Sequence, residues 1–363
     1  MKQLCYILSF IIITGCSTSD NNNDTNNNSN PILNELYFPP INSDTWETLS
    51  LNELGWNTNA EEPLYDLLDA TGTKAFIILK DGKIVIERYG NSANASTNLV
   101  WNSAAKTLSA FMIGIAQEEG YLDINDPSNM YLGNNWANLT SEQESNITVW
   151  NHLTMTTGMD YNVANQHCTD SDCLNYLNEP GTFWYYHNAC YTLTHNIIEG
   201  AVNDEFSAYF NSKLRDRVGM QGSWLPIGYV RLYFSTAKSM ARFGLLNLNK
   251  GVWNQTAILN DINYFNEMIT TSQDLNKAYG YLWWLNGKDS YRAPVLTLEF
   301  PGKLIENAPD DLFAALGKDD QKLYVVPSQN LVVVRMGDDA GEALLGPSSF
   351  DNALWEKINA LIN

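Results

Sequence analysis

Ser-x-x-Lys stands twice in the 363-residue chain, as Ser103-Ala104-Ala105-Lys106 and as Ser235-Thr236-Ala237-Lys238. A serine hydroxyl becomes a nucleophile when a neighbouring base takes its proton. A lysine amine can be that base once burial disfavours its ammonium form. Residues three apart on a helix share a face, so the spacing brings hydroxyl and amine within reach. A serine in the first helical turn also lies beside free backbone N–H groups and the positive helix end. Two fixed positions in four recur by chance about once in a chain this long, so context must choose. After Lys106 the run through Leu108, Phe111, Met112, Ile115 and Ala116 stays almost wholly apolar until Gln117, which suits a sunken amine. Ser235 opens a mixed run containing Arg242 and Asn247, and reads more simply as a helix cap. Ser103 and Lys106 are the expected nucleophile and base.

A second cluster is Pro180-Gly181-Thr182-Phe183-Trp184-Tyr185-Tyr186-His187-Asn188, a turn and an aromatic group ending in Tyr-x-Asn ahead of a helix. A phenol beside an ammonium can be partly ionised and relay protons to a leaving group. An amide two residues on can orient a substrate carbonyl. For any single aromatic here, core or rim packing is the simpler account.

These residues need a frame. Ala75–Lys80 and Lys83–Glu87 are β-rich runs around Asp81-Gly82, which predicts a tight hairpin. Lys322–Val326 and Leu331–Met336 are β-rich again, joined by Pro327-Ser328-Gln329-Asn330, and Phe350–Ile362 closes with helical spacing of Leu354, Ile358 and Leu361. Between them, Ile147–Met155, Tyr191–Glu199 and Ser239–Leu246 are the clearest helices, after a short one at Glu61–Asp69. Strands at both ends flanking a helical middle predict an α+β fold. One antiparallel sheet is built from N- and C-terminal strands (residues 60–125 and 290–363), with a helical lobe (126–289) inserted.

The leader tells of location. Lys2, an apolar run from Leu4 to Ile13, and Ile13-Thr14-Gly15-Cys16 have the order of a secretory signal over residues 1–15, with Cys16 in a lipobox-like position for lipidation. Seven of residues 21–30 are Asn, so residues 16–35 read as a solvated tether ahead of a domain spanning 36–363. The expected location is a bacterial membrane, facing the periplasm or cell surface, held by acyl chains alone. Lys and Arg number 21 against 41 Asp and Glu, a formal charge of −20. Nucleic acid is therefore not an expected partner. Cys168 and Cys173 bracket a polar loop in an oxidising compartment, where a local disulfide is plausible, and Cys190 reads as a small buried hydrophobe. Neither these cysteines nor His152, His167 and His195 form a recognisable metal set, and no cofactor is expected.

Ser103-x-x-Lys106, then Tyr186-x-Asn188, then a C-terminal strand pair resembles the order of motifs in class C β-lactamase-like proteins. That penicillin-recognising superfamily includes class C β-lactamases, D-Ala-D-Ala carboxypeptidases, family VIII esterases and 6-aminohexanoate-dimer hydrolases. Ile147–Met159 resembles the helix and turn between the first two motifs, and Ser239–Gly244 the helix after the second. The resemblance implies a β-lactamase/transpeptidase-like fold and a Ser103 acyl-enzyme, with Lys106 and Tyr186 as acid and base and Asn188 positioning substrate. The family's third motif, on an edge strand lining the cleft, is best matched by Ala315-Leu316-Gly317, so its cationic side chain is missing. Lys318 stands next to the motif, and the resemblance implies that Ala315, Gly317 and Lys318 meet the substrate. The resemblance puts the oxyanion between the backbone N–H groups of Ser103 and Lys318, and His187, normally a small residue, is expected to reshape the cleft. An ester or small-amide substrate is the first expectation. Cell-wall peptides or penicillins are the second, and a non-catalytic ligand-binding surface lipoprotein the third.

Overall fold

Asp81 and Gly82 both take positive φ (52° and 82°), which gives a two-residue turn the twist its flanking strands require. A Cβ on Gly82 would fall 2.0 Å from the Tyr37 carbonyl oxygen, so no larger residue fits this close approach. The turn joins β1 (Thr73–Lys80) to β2 (Lys83–Tyr89) in the computed structural model, which describes residues 36–341 and 347–363. The signal at 1–15, lipidation at Cys16 and the tether at 16–35 lie outside the described residues. No described helix is long and apolar enough to cross a membrane.

The later strands are β3 (Leu99–Val100), β4 (Gly222–Ile227), β5 (Val230–Ser235), β6 (Trp284–Leu285), β7 (Phe313–Gly317), β8 (Gln321–Val326) and β9 (Leu331–Gly337). The principal helices are α1 (Glu61–Ala70), α2 (Lys106–Glu118), α3 (Val149–Leu153), α4 (Asn188–Val202), α5 (Ala237–Leu248) and α6 (Ser349–Ile362). The main sheet runs β2-β1-β9-β8-β7-β6 with every neighbour antiparallel. N-terminal and C-terminal strands thus meet in one sheet, with helices on both faces, an α+β fold of the β-lactamase/transpeptidase type.

Side-chain alternation divides the sheet's two faces. On one, Gly244 of α5 lies so close that an added Cβ would fall 2.5 Å from Val332 and 2.7 Å from Leu323. On the other, Trp355 of α6 packs edge-on against Tyr324 at 5.6 Å. Asp351 there accepts hydrogen bonds from Tyr324 Oη (2.5 Å) and Lys322 Nζ (2.8 Å). Helix α2 is buried from Lys106 through Ala116. Phe111 meets Phe243 of α5 edge-on at 5.8 Å, and Gly114 makes room for the Tyr264 ring.

The expected lobe border at 126 and 289 does not follow the packing. Helix α5 lies on the main sheet, β6 forms one of its edges, and β4 and β5 make a hairpin in a second sheet of order β3-β5-β4. That hairpin exists because Trp224 and Tyr233 pair across it and bury their rings together. The helix expected over Ile147–Met155 is shorter. Thr148 caps it through a box with Asn151, and Met155 at φ 59° lies beyond its end.

Candidate active site

Ser103 sits in a 3-10 turn, Asn102–Ala105, that runs straight into α2 with Lys106 as its first residue. The turn is fixed from both sides. Trp101 donates its backbone N–H to the Tyr233 carbonyl (2.9 Å) and its indole N–H to Ser235 Oγ (2.7 Å). Asn102, at φ 49°, donates Nδ2 to the Lys318 carbonyl (2.8 Å).

Lys106 Nζ donates to Ser103 Oγ at 3.0 Å and to Asn188 Oδ1 at 3.1 Å. The lysine is 4% exposed, and burial lowers its pKa to about 7. An amine at that value is substantially free near neutrality and can take the Ser103 proton. The rings of Tyr186 and Tyr191 face Nζ at 4.9 and 4.2 Å. Tyr191 was not anticipated. It lies three residues after Asn188 on α4, on the same helix face, and that spacing is the signal the sequence offered.

Tyr186 stacks on Trp284 at 5.9 Å and meets Tyr279 edge-on at 6.2 Å. Burial pushes its phenol well above the ordinary tyrosine range, an effect partly offset by a hydrogen bond with Ser103. Burial thus acts against the partly ionised phenol expected from sequence, because it disfavours the charged form. Tyr186 stands in hydrogen-bonding contact with the serine, and the amine beside it is the group whose pKa burial lowers. Asn188 opens α4 and gives Oδ1 to Lys106, which leaves its Nδ2 donors for a ligand.

Strand β7 carries the third motif. β6 pairs only with Phe313 and Ala314, so the Ala315–Gly317 half presents its edge to the Ser103 turn. A Cβ on Gly317 would fall 2.4 Å from the Trp101 carbonyl and 3.0 Å from the Ala104 nitrogen. Glycine is what lets strand and turn meet. Ala315 is fully buried and does not line the cleft, which corrects its expected contact with substrate. Lys318 does line it, in a cleft of about 160 Å³ with Asn102, Ser103, Lys106, Asn188 and Tyr191. Arg231 adds a second cation to the wall, held in a two-point ion pair by Glu199 (2.5 and 3.1 Å).

The second Ser-x-x-Lys is structural. Ser235 Oγ receives the Trp101 indole, Lys238 pairs with Glu87 at 3.0 Å, and the cap of α5 is Thr236 rather than Ser235. His187 does not reach the cleft as expected, because its ring is buried with Nε2 on the Asp160 carbonyl (3.2 Å). His152 bonds the Cys190 carbonyl and His195 the Ser109 hydroxyl, both at 2.8 Å, while His167 alone lines the cleft. Cys168 and Cys173 are disulfide-bonded next to it, and Cys190 is a buried thiol receiving the Thr157 hydroxyl. Among the described residues, no group of three His, Cys, Asp or Glu is placed to hold a metal ion.

With this geometry in view, the sequence matches the Beta-lactamase family over residues 68–347. The chain belongs to that family. It is a member of the penicillin-recognising serine hydrolases. Its fold is shared with a candidate 6-aminohexanoate-dimer hydrolase from Bacillus anthracis (20% identity, 90% of this chain and 88% of that one, TM-score 0.67). It is shared likewise with a candidate beta-lactamase from Bacteroides dorei (16% identity, 85% and 99% covered, TM-score 0.67). A family VIII carboxylesterase aligns at 13% identity over 84% of this chain and 98% of its own, with TM-score 0.62. No curated protein matches the sequence.

Proposed function

We propose that this chain hydrolyses an ester or amide bond through an acyl-enzyme on Ser103. The observation that carries the reading is a buried Lys106 amine, lowered to about 7, in direct contact with the Ser103 hydroxyl. Lys106 takes the hydroxyl proton as Ser103 Oγ attacks the substrate carbonyl carbon. The oxyanion is received by the backbone N–H groups of Ser103 and Lys318, each donor contributing about 3 kcal/mol. Tyr186, protonated through burial, gives its proton to the leaving oxygen or nitrogen and regains one from Lys106. Water then attacks the acyl-enzyme by the reverse route, and the acid is released. Asn188 Nδ2 orients the acyl carbonyl.

A second reading, hydrolysis of cell-wall peptides or penicillins, draws on Lys318 and Arg231. These are cations in the cleft wall that can meet a carboxylate although Ala315 cannot. A binding-only surface lipoprotein is the third. One experiment separates them: intact mass and peptide mapping after the purified protein meets a fluorophosphonate or penicillin. A fluorophosphonate adduct on Ser103, without a penicillin adduct or turnover, is expected. Penicillin acylation or hydrolysis would move the assignment to the second reading. A folded protein with no adduct would overturn catalysis and leave the third.

A further inference from the structure

The β4–β5 hairpin places two kinds of surface back to back. Trp224 and Tyr233 pair across it on the inner face and are 7% and 0% exposed, and Arg231 reaches inward to Glu199. The alternate residues pair across the outer face: Ser223 with Phe234, Leu225 with Leu232, Ile227 with Val230. Apart from Ser223 opposite Phe234, that face is apolar to the tip. In a chain of charge −20, residues 222–235 contain no acidic side chain and only the inward Arg231 as a base. Leu225 and Ile227 are 45% and 53% exposed, whereas Val230 and Leu232, with the Glu199-paired Arg231 between them, line the same cleft as Ser103 and Lys106.

The hairpin is tied to the segment that leads into the nucleophile. Tyr233 is bonded to the Trp101 backbone two residues before Ser103, and Val100 pairs with Phe234. The tip is braced by a hydrogen bond from the Tyr229 hydroxyl to Asp170, inside the loop closed by Cys168–Cys173. A strand rise of about 3.3 Å per residue puts about 13 Å between the levels of Phe234 and Val230, roughly the span of an extended acyl chain of about ten or eleven carbons, of which an octanoyl chain covers about two-thirds. A rigid apolar strip that begins inside the cleft and ends in water suits an unbranched hydrocarbon better than a polar sugar or peptide.

We infer that the outer face of this hairpin is an acyl-chain subsite, and that the substrates of Ser103 are esters or amides of medium-chain apolar acids. The inference rests on the acyl-enzyme reading proposed above. The acyl carbonyl lies at Ser103, and the chain runs past Leu232 and Val230 toward Leu225 and Ile227.

The test is hydrolysis of p-nitrophenyl acetate, butyrate and octanoate by the full-length protein and by Leu225→Asn/Ile227→Asn. Both substituted side chains are half exposed, so the fold is not at risk. The expected ratio of kcat/KM for octanoate over acetate is roughly 50-fold, falling to within about fivefold in the double variant. A Ser103 that labels with fluorophosphonate but turns over octanoate no faster than acetate overturns the inference and leaves the acyl-enzyme reading standing. A high ratio that the double variant retains overturns the placement on the hairpin. If the face instead served a second copy of the chain, the double variant would alter the sedimentation mass and not the ratio, which also overturns it. A readout free of turnover is calorimetry on Ser103→Ala. Octanoate should bind at least tenfold more tightly than acetate, and the double variant should abolish the difference. Equal binding of the two acids overturns the subsite even if no ester is ever hydrolysed.

Discussion

Replacing Tyr191 by leucine removes the ring face 4.2 Å from Lys106 Nζ and leaves the Ser103 and Asn188 hydrogen bonds in place. A desolvated ammonium over an aromatic face gains about 1–2 kcal/mol, equivalent to about one pKa unit. That attraction acts on the ammonium and not on the free amine, so losing it favours the amine. Lys106, at about 7 in the native protein, is expected near 6 in the leucine variant. Since the base must be unprotonated, the acid limb of kcat/KM should move about one unit toward lower pH. Phenylalanine keeps the ring and loses only the hydroxyl, which lies 3.5 Å from His195 Nε2, so its limb should stay where it is. The other titratable or charged groups around the site (Tyr186, His167, His195, the Glu199-paired Arg231, and Lys318) are the same in both variants. The assay is kcat/KM for a reporter ester across about pH 5 to 9, where the limb reports the free enzyme. A limb that stays put or rises in the leucine variant, or that moves equally in both, would refute the account of how this amine is tuned.

Lys106→Met should abolish turnover while raising stability at neutral pH. Holding the amine at about 7 against an ordinary 10.5 costs about 5 kcal/mol below pH 7. The lost hydrogen bonds and ring contacts offset much of this, leaving a net gain of about 1–2 kcal/mol. The unfolded chain binds the extra proton between about pH 7 and 10.5, so wild-type stability rises with pH in that window. Urea melts at pH 7 should therefore show a larger gain for the variant than melts at pH 10, and equal gains would contradict the burial argument. Gly317→Ala puts a Cβ 2.4 Å from the Trp101 carbonyl and must push β7 off the Ser103 turn. A displacement approaching 1 Å implies roughly a 100-fold loss of kcat, read by single-turnover kinetics beside an unchanged circular dichroism spectrum. Cys16→Ser should move the protein from the membrane fraction of expressing cells to the soluble one, and retention in the membrane would set the lipid anchor aside.

The hairpin around Asp81-Gly82 and the burial of Lys106 beside Ser103, which Lys238 beside Ser235 does not share, were legible because each rests on local pattern. A turn dipeptide stands between β-rich runs, and an apolar helix follows one Ser-x-x-Lys but not the other. The helix carrying Asn188 was legible in the same way, beginning three residues before the expected start. What local pattern does not carry is which partner covers which half of a strand. Ala315 was expected to meet substrate, yet whether it faces the cleft depends on β6, a two-residue strand far upstream, and on how closely Gly317 admits Trp101. Tyr191 looks, in sequence, like any core aromatic on a buried helix. Its nearness to Lys106 depends on how α4 packs against α2. His187 misled because its position beside Tyr186 does not say that its ring turns toward Asp160. The β4–β5 hairpin was written in the alternation of Trp224, Tyr233 and their neighbours, but the helical stretches on either side outweighed it.

The turn that carries Lys318 shows how the fold holds such a site at a cost in stability. Asp319 and Asp320 both take left-handed φ (58° and 52°), as a tight hairpin turn between β7 and β8 requires and as aspartate tolerates better than most side chains. Arg335, fully buried, braces the turn by donating to the carbonyls of Asp319 and Asp320 (3.1 Å each), to the Thr71 carbonyl and to the Thr73 hydroxyl. Asp320 is then held by Lys322 at 3.1 Å, and Lys322 by Asp351 at 2.8 Å, all at or below 1% exposure. Burying such charges brings little or no net stability compared with an apolar core of the same volume. Stability therefore does not explain them, whereas position does. They fix the turn immediately after Lys318, whose carbonyl Asn102 holds from the other side. On the proposed reading, in which the backbone N–H of Lys318 receives the oxyanion beside Ser103, this buried network holds that donor at a fixed point.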